Sequence, residues 1–291
     1  MRRGWKIFWI IVAVLTGLGI ACCAAALALG ISSSQIREIY PDGIGFFQSI
    51  HTEESNLPED VEAKNEGEVS VYEDITSLEA DIGGYELKIR PSEDEDVRVD
   101  TTDCWFGGDT EIAVYEKNGR LYIKTVQSGE FLDVFSFFTE RGEHYGEIRV
   151  YLPTSLRLTE AELSIGAAEV EIDTLKADKT KISIGAADCH IQRIETEKAD
   201  IMVGGGDLEL AGKIDGDITV KCGAGDVDLE LKGGESDYNY DVVCGAGEVE
   251  IGEAEYGGAA STKRIDNGSS RTVDIKCGAG KVEISFKKED M

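Results

Sequence analysis

Positive charge is scarce in this chain. Only 29 Lys and Arg stand against 57 Asp and Glu, a formal net charge of -28. Such a surface repels anionic polymers, which excludes nucleic acid as an expected partner. Histidine is scarcer still. His51, His144 and His190 are isolated from one another, and no HExxH motif, CxxC pair or histidine pair is present to build a metal centre. A G-x-S-x-G nucleophile elbow and a phosphate-binding loop are equally absent. These absences exclude the common enzyme classes, so the chain reads as a non-enzyme without an organic cofactor. A polysaccharide-active β-helix enzyme is the remote alternative, disfavoured because the repeats described below are short and lack long loops to wall a cleft. With 42% hydrophobic residues, the chain still has the means to bury a core.

Charge is absent altogether from one long run. Residues 7–31 are 25 residues with no charged side chain, and as a helix they would reach about 37 Å, enough to cross a ~30 Å hydrocarbon core. Arg2, Arg3 and Lys6 precede the run, while the stretch after it offers Arg37 against Glu38 and Asp42. The positive-inside rule therefore expects residues 1–6 in the cytoplasm and the C-terminal domain outside, on a single-pass cell-membrane protein. The run exceeds the apolar core of a cleaved signal peptide, and Gly19 stands where a lipoprotein signal needs an aliphatic residue before Cys22. Residues 32–75 are acidic and polar and read as a juxtamembrane linker.

From there the pattern is strand after strand. Residues 76–160 form an N-terminal β part, with Asn118-Gly119 between two alternating runs as a hairpin signal. Phe131, Leu132, Phe135, Phe137 and Phe138 form an apolar cluster expected to cover one end of a sheet or to meet a partner. Residues 161–287 repeat one phrase. SIGAAEVEI, SIGAADCHI, MVGGGDLEL, KCGAGDVDL, VCGAGEVEI and KCGAGKVEI place their first glycines at Gly166, Gly185, Gly204, Gly223, Gly245 and Gly278, in steps of 19, 19, 19, 22 and 33. A period near 20 with strict alternation predicts an all-β solenoid, single-stranded and β-helix-like, of six or more rungs with ~19-residue repeats. Aligning the copies gives four apolar columns. The first two run from Leu163 and Ile165 to Ile275 and Cys277, the last two from Val170 and Ile172 to Val282 and Ile284. Strand side chains alternate faces, so these columns point inward together. The two longer steps place insertions at 231–241 and 252–274, read as loops extruded from an unbroken stack.

The corner glycines are expected where a side chain would clash or force a positive φ. Cys222, Cys244 and Cys277 take the place that Ile165, Ile184 and Val203 hold in other copies, and Cys189 replaces a valine or leucine. They read as buried thiols serving as small hydrophobes, with a bridge between stacked neighbours within reach at about 4.8 Å. The residue after each corner is Glu169, Asp188, Asp207, Asp226, Glu248 and finally Lys281. Stacked in register, five carboxylates would stand in a line. Either each caps its own corner, or Ca²⁺ or another hard divalent cation bridges adjacent rungs with Glu169, Asp188, Asp207, Asp226 and Glu248 as its ligands.

The YLP of residues 151–153, which leads into the rungs, and the recurrent I-x-x-G-x-G-x-V-x-I style of 164–284 resemble a bacterial adhesin-like family, a domain of unknown function built from β-strand repeats. The likeness covers roughly residues 69–286 and carries no catalytic residues. It implies a non-catalytic interaction or structural module of the cell envelope, tethered through residues 7–31, whose partner is an envelope polymer or a membrane protein. Association of such domains with envelope-stress systems makes a regulatory or sensory partner the alternative.

Overall fold

The computed structural model describes residues 57–58, 61, 67–104, 110–127, 146–257 and 261–288, all within the unit Phe46–Met291. Residues 7–31, His51, His144 and the cluster Phe131–Phe138 lie outside the described residues. Among the described residues no helix is long and apolar enough to cross a membrane.

The described chain is all-β and solenoid-like. Its strands in order are β1 (Val69–Tyr72), β2 (Ser77–Ile82), β3 (Glu86–Ser92), β4 (Val97–Asp100), β5 (Thr110–Lys117), β6 (Arg120–Gln127) and β7 (Glu147–Pro153). The repeats supply β8 (Leu158–Ile165), β9 (Glu169–Ile172), β10 (Leu175–Ile184), β11 (Asp188–Val203), β12 (Asp207–Ile214), β13 (Ile218–Cys222) and β14 (Asp226–Lys232). The last are β15 (Asn239–Cys244), β16 (Glu248–Ile251), β17 (Ala254–Glu255), β18 (Ser261–Ile265), β19 (Thr272–Cys277) and β20 (Lys281–Lys287).

Strands that precede a corner pair in parallel as one ladder, in the order β6–β2–β8–β10–β11–β13–β19–β15. Strands that follow a corner form a second ladder, β7–β3–β9–β11–β12–β14–β20–β16. The long strand β11 serves both, its first part in the second ladder and its last part in the first. Antiparallel strands finish every end: β5 on β6, β18 on β15, β4 on β7 with β1 beyond it, and β17 on β16. The predicted hairpin is β5–β6, with Asn118 and Gly119 at φ +55° and +77°, the signs a two-residue type I′ turn requires.

The insertions do not leave the stack in chain order. The last rung, β19–β20, lies between the β13–β14 rung and the β15–β16 rung. At the other end, β2–β3 lies between the β6/β7 rung and β8–β9. The longer steps are therefore crossings. The chain leaves Lys232 through Gly233, at φ +121°, and a short 3-10 turn Glu235–Asp237. It passes one rung position before resuming, and the 33-residue step later carries it back into the gap by way of β17 and β18.

The four columns are the core. All 24 of their side chains, from Leu163 to Ile284, are at most 4% exposed, and fully burying each apolar one is worth about 1.5–3 kcal/mol. Ala80, Ile82, Leu87 and Ile89 extend the columns one rung further.

The corners stack through backbone hydrogen bonds. Gly185 N–H donates to Ile165 O at 2.7 Å and Ala186 N–H to Gly166 O at 2.8 Å, and the same pair recurs from rung to rung. None of the corner glycines has a positive φ. Of the two reasons expected for them, close approach is the one that applies. A Cβ on Gly185, Gly223 or Gly245 would stand 2.6–2.7 Å from the carbonyl oxygen of the neighbouring corner, and one on Gly225 only 2.0 Å from Gly206 O.

Candidate functional site

The pleat turns alternate residues of the second ladder to solvent, so its outward face is built of continuous columns. The column just after the corner reads, across the stack, Glu147, Glu86, Glu169, Asp188, Asp207, Asp226, Lys281, Glu248. The next reads Arg149, Lys88, Glu171, His190, Glu209, Asp228, Glu283, Glu250 in the same order. Glu169, Asp188, Asp207 and Asp226 are thus brought together as expected. Glu248 is not adjacent to them, because the inserted last rung puts Lys281 between Asp226 and Glu248. The expected line of five carboxylates is four, then a lysine, then one.

The two ends of this face differ in chemistry. At the β7–β3–β9 end cations are interleaved. Lys88 Nζ lies 2.5 Å from Glu147, Arg149 pairs with Glu147 and Asp103, and Arg90 spans Glu171 and Asp173. Burial alone would raise Glu147, but hydrogen bonds from Lys88 and Arg149 outweigh it and hold the carboxyl below its ordinary range. At the other end Glu209, Asp228, Glu283 and Glu250 follow one another with Lys281 as their cation, 2.9 Å from Glu283 and 3.5 Å from Glu250. Burial first, and then the Glu283 carboxylate, push Asp228 up. A hydrogen bond with Glu250 raises Glu248. His190, whose alternation placed it on this face, meets Glu209 at 2.9 Å.

Where the corners of the last three rungs meet this face lies an open cavity of about 460 Å³, lined by Ala224, Ala246, Asp226, Glu248, Glu255 and Lys281 among others. Glu255 arrives on β17, and no repeat pattern announced it, since it sits in a crossing segment. Among the described residues no group of three or more His, Cys, Asp or Glu side chains is arranged to hold a metal ion. The carboxylates lie along the face in a line, and a hard cation needs them convergent. The first ladder offers a mixed outward face instead, with Ser164, Ser183, Met202, Lys221, Lys276 and Val243 in one column and a Lys181–Glu162 pair beside it.

The cysteines sit directly beneath the corners. Cys222 Sγ donates to Gly225 O at 2.9 Å and Cys277 Sγ to Gly280 O at 3.1 Å. A Cβ on Gly280 would meet Cys222 Sγ at 2.7 Å, and one on Gly247 would meet Cys277 Sγ at the same distance. This accounts for the Cys-Gly-Ala-Gly phrase at Cys222 and Cys277: each of these two sulfurs satisfies its own corner carbonyl and fills the space that the next corner's glycine leaves. Cys189, pushed up to about 12 by burial, is a core side chain.

Residues 154–285 match the family model described as Toastrack DUF4097. These residues form a Toastrack domain. The β2–β3 rung lies outside the matched stretch yet stands in register with the Toastrack rungs. No curated protein matches the chain. Solved structures similar to it include a "putative cell adhesion protein" from Clostridium sporogenes, 15% identical, covering 77% of this chain and 100% of that one at a TM-score of 0.37. A "putative adhesin" from Bacteroides fragilis is 12% identical over 76% of this chain and 98% of its own, at 0.36. A "putative lipid binding protein" from Parabacteroides distasonis is 8% identical over 78% and 98%, at 0.34.

Proposed function

We propose that the Toastrack domain is the extracytoplasmic, non-catalytic interaction module of a chain tethered to a bacterial cell membrane through residues 7–31. The observation that carries the reading is the carboxylate-rich end of the second ladder. Asp207, Asp226, Glu209 and Asp228 stand exposed on a rigid stack at about 4.8 Å spacing, with Lys281 as a single interruption. A preorganised, exposed array of one sign recruits a partner of opposite charge at little entropic cost. The partner class is a basic segment of a membrane protein or a cationic group on an envelope polymer. The uncharged run and its basic N-terminal flank support the tether, and the acidic linker supplies reach.

Two measurements test this. Protease added to intact, wall-stripped cells is expected to digest the domain; protection until lysis overturns the topology. Cross-linked cells carrying Asp207→Lys with Asp228→Lys are expected to lose the partners captured by the unaltered chain, and unchanged capture overturns the assignment of the acidic face.

A further inference from the structure

The insertion of the last rung has a chemical consequence. In chain order Cys222 would neighbour Cys244, with Cys277 beyond. In the fold Cys277 is the middle member, directly opposite Cys222 on one side and Cys244 on the other. None of the three is in a disulfide, and each is at most 2% exposed. Parallel neighbours about 4.8 Å apart bring their Cα atoms within the span a disulfide bridges. All three side chains point inward from one column of the first ladder, with Cys277 in the middle. We infer that Cys277 is the centre of a three-thiol redox site, able to form a disulfide with Cys222 or with Cys244 but never with both.

The step needs a disulfide-bearing oxidant, either a small-molecule disulfide or a thiol oxidoreductase. The Cys222 thiolate attacks one sulfur of that disulfide and expels a thiolate. The Cys277 thiolate then attacks the Cys222 sulfur, forming the Sγ–Sγ bond and expelling the second thiolate. The protein loses two electrons and two protons, and the oxidant is reduced to two thiols. Cys222 is the favoured first nucleophile. Its strand, β13, is already seated in parallel on β11, whereas Cys244, on β15, has no parallel neighbour until β19 docks. Access comes before β19 docks, when Cys222 still lies on an open ladder edge. The bond would staple in place the rung that the chain inserts out of order.

The test refolds the purified full chain from urea with oxidised and reduced glutathione, blocks remaining thiols with iodoacetamide and maps linked peptides by mass spectrometry. The expected product joins the Cys222 and Cys277 peptides with loss of two hydrogens, and it raises Tm by roughly 5 °C or more until a reductant is added. Cys222→Ser should move the link to Cys277–Cys244, Cys244→Ser should leave it untouched, and Cys277→Ser or Cys277→Ala should abolish every link within the row. Complete alkylation of all three thiols in the unaltered refolded chain overturns the inference, as does a Cys222–Cys244 link that survives in Cys277→Ala.

Discussion

Between Leu158 and Lys232 each rung stacks on the rung before it in sequence, whereas at both ends of this stretch the chain steps past a position that another rung fills. The difference lies in the connections. A step of 19 residues is used up by one rung, while steps of 22 and 33 leave enough chain to cross a neighbour. Apolar columns are alike in every rung, so burial alone does not choose between neighbours. What the crossings achieve is visible at the edges. The domain's last strands are paired on both sides, and the exposed ladder ends go to antiparallel strands such as β18, with Lys263 and Arg264, which guard an edge against unwanted pairing.

Removing the crossing should rearrange the stack more than any single substitution. Deleting Ala254–Asn267 removes 14 residues and reduces the 33-residue step to 19. The last rung is then expected to stack outside β15–β16 in chain order. Methyl NOEs between Val220 and Ile275 should vanish and be replaced by contacts between Val220 and Val242.

Corners probe the regular stretch. Gly225→Val drives a Cβ against Gly206 O, at 2.0 Å for the unrelaxed position, and should cost about 3 kcal/mol or more in urea unfolding. The exposed Ala224 next to it should accept serine within about 0.5 kcal/mol. A similar loss at both positions would show that the corner is merely sensitive to bulk.

The two ends of the acidic face are separated by charge. Lys281→Glu makes the column continuous from Glu169 to Glu248 and should lower Tm at low salt. The loss should shrink as ionic strength approaches about 1 M, where the Debye length falls to roughly 3 Å. A salt-independent loss would point to packing instead.

The smallest effect is a pH dependence of opposite sign at the two ends. Asp228 has a raised folded pKa, so the native state holds its proton more tightly and stability falls as pH rises through that value. Asp228→Asn should therefore raise Tm at pH 7 and leave it unchanged at pH values below the ordinary Asp pKa of ~3.9. Glu147 has a lowered folded pKa, so its contribution is present above the ordinary Glu value and is lost as pH falls. Glu147→Gln should lower Tm at pH 7 and converge with the unaltered chain in acid. Thermal melts across pH 2–8, a range that spans ordinary carboxylate values of about 4, would show the two curves diverging in opposite directions.

Much of this protein can be read without a structure. Period-two alternation assigns a face to each strand residue, so Leu163, Ile182 and their column mates, the exposed Glu209 and Asp228, and the type I′ turn at Asn118-Gly119 were all legible. Only the tertiary structure decided which rung lies against which. Six near-identical repeats present interchangeable apolar columns, and the pattern that marks a residue as inward says nothing about its neighbour across the ladder. That choice rests on long connections finding the lowest free energy for the whole stack. It set Lys281 between Asp226 and Glu248, brought Glu255 to the cavity on a crossing strand, and made Cys277 rather than Cys244 the middle thiol.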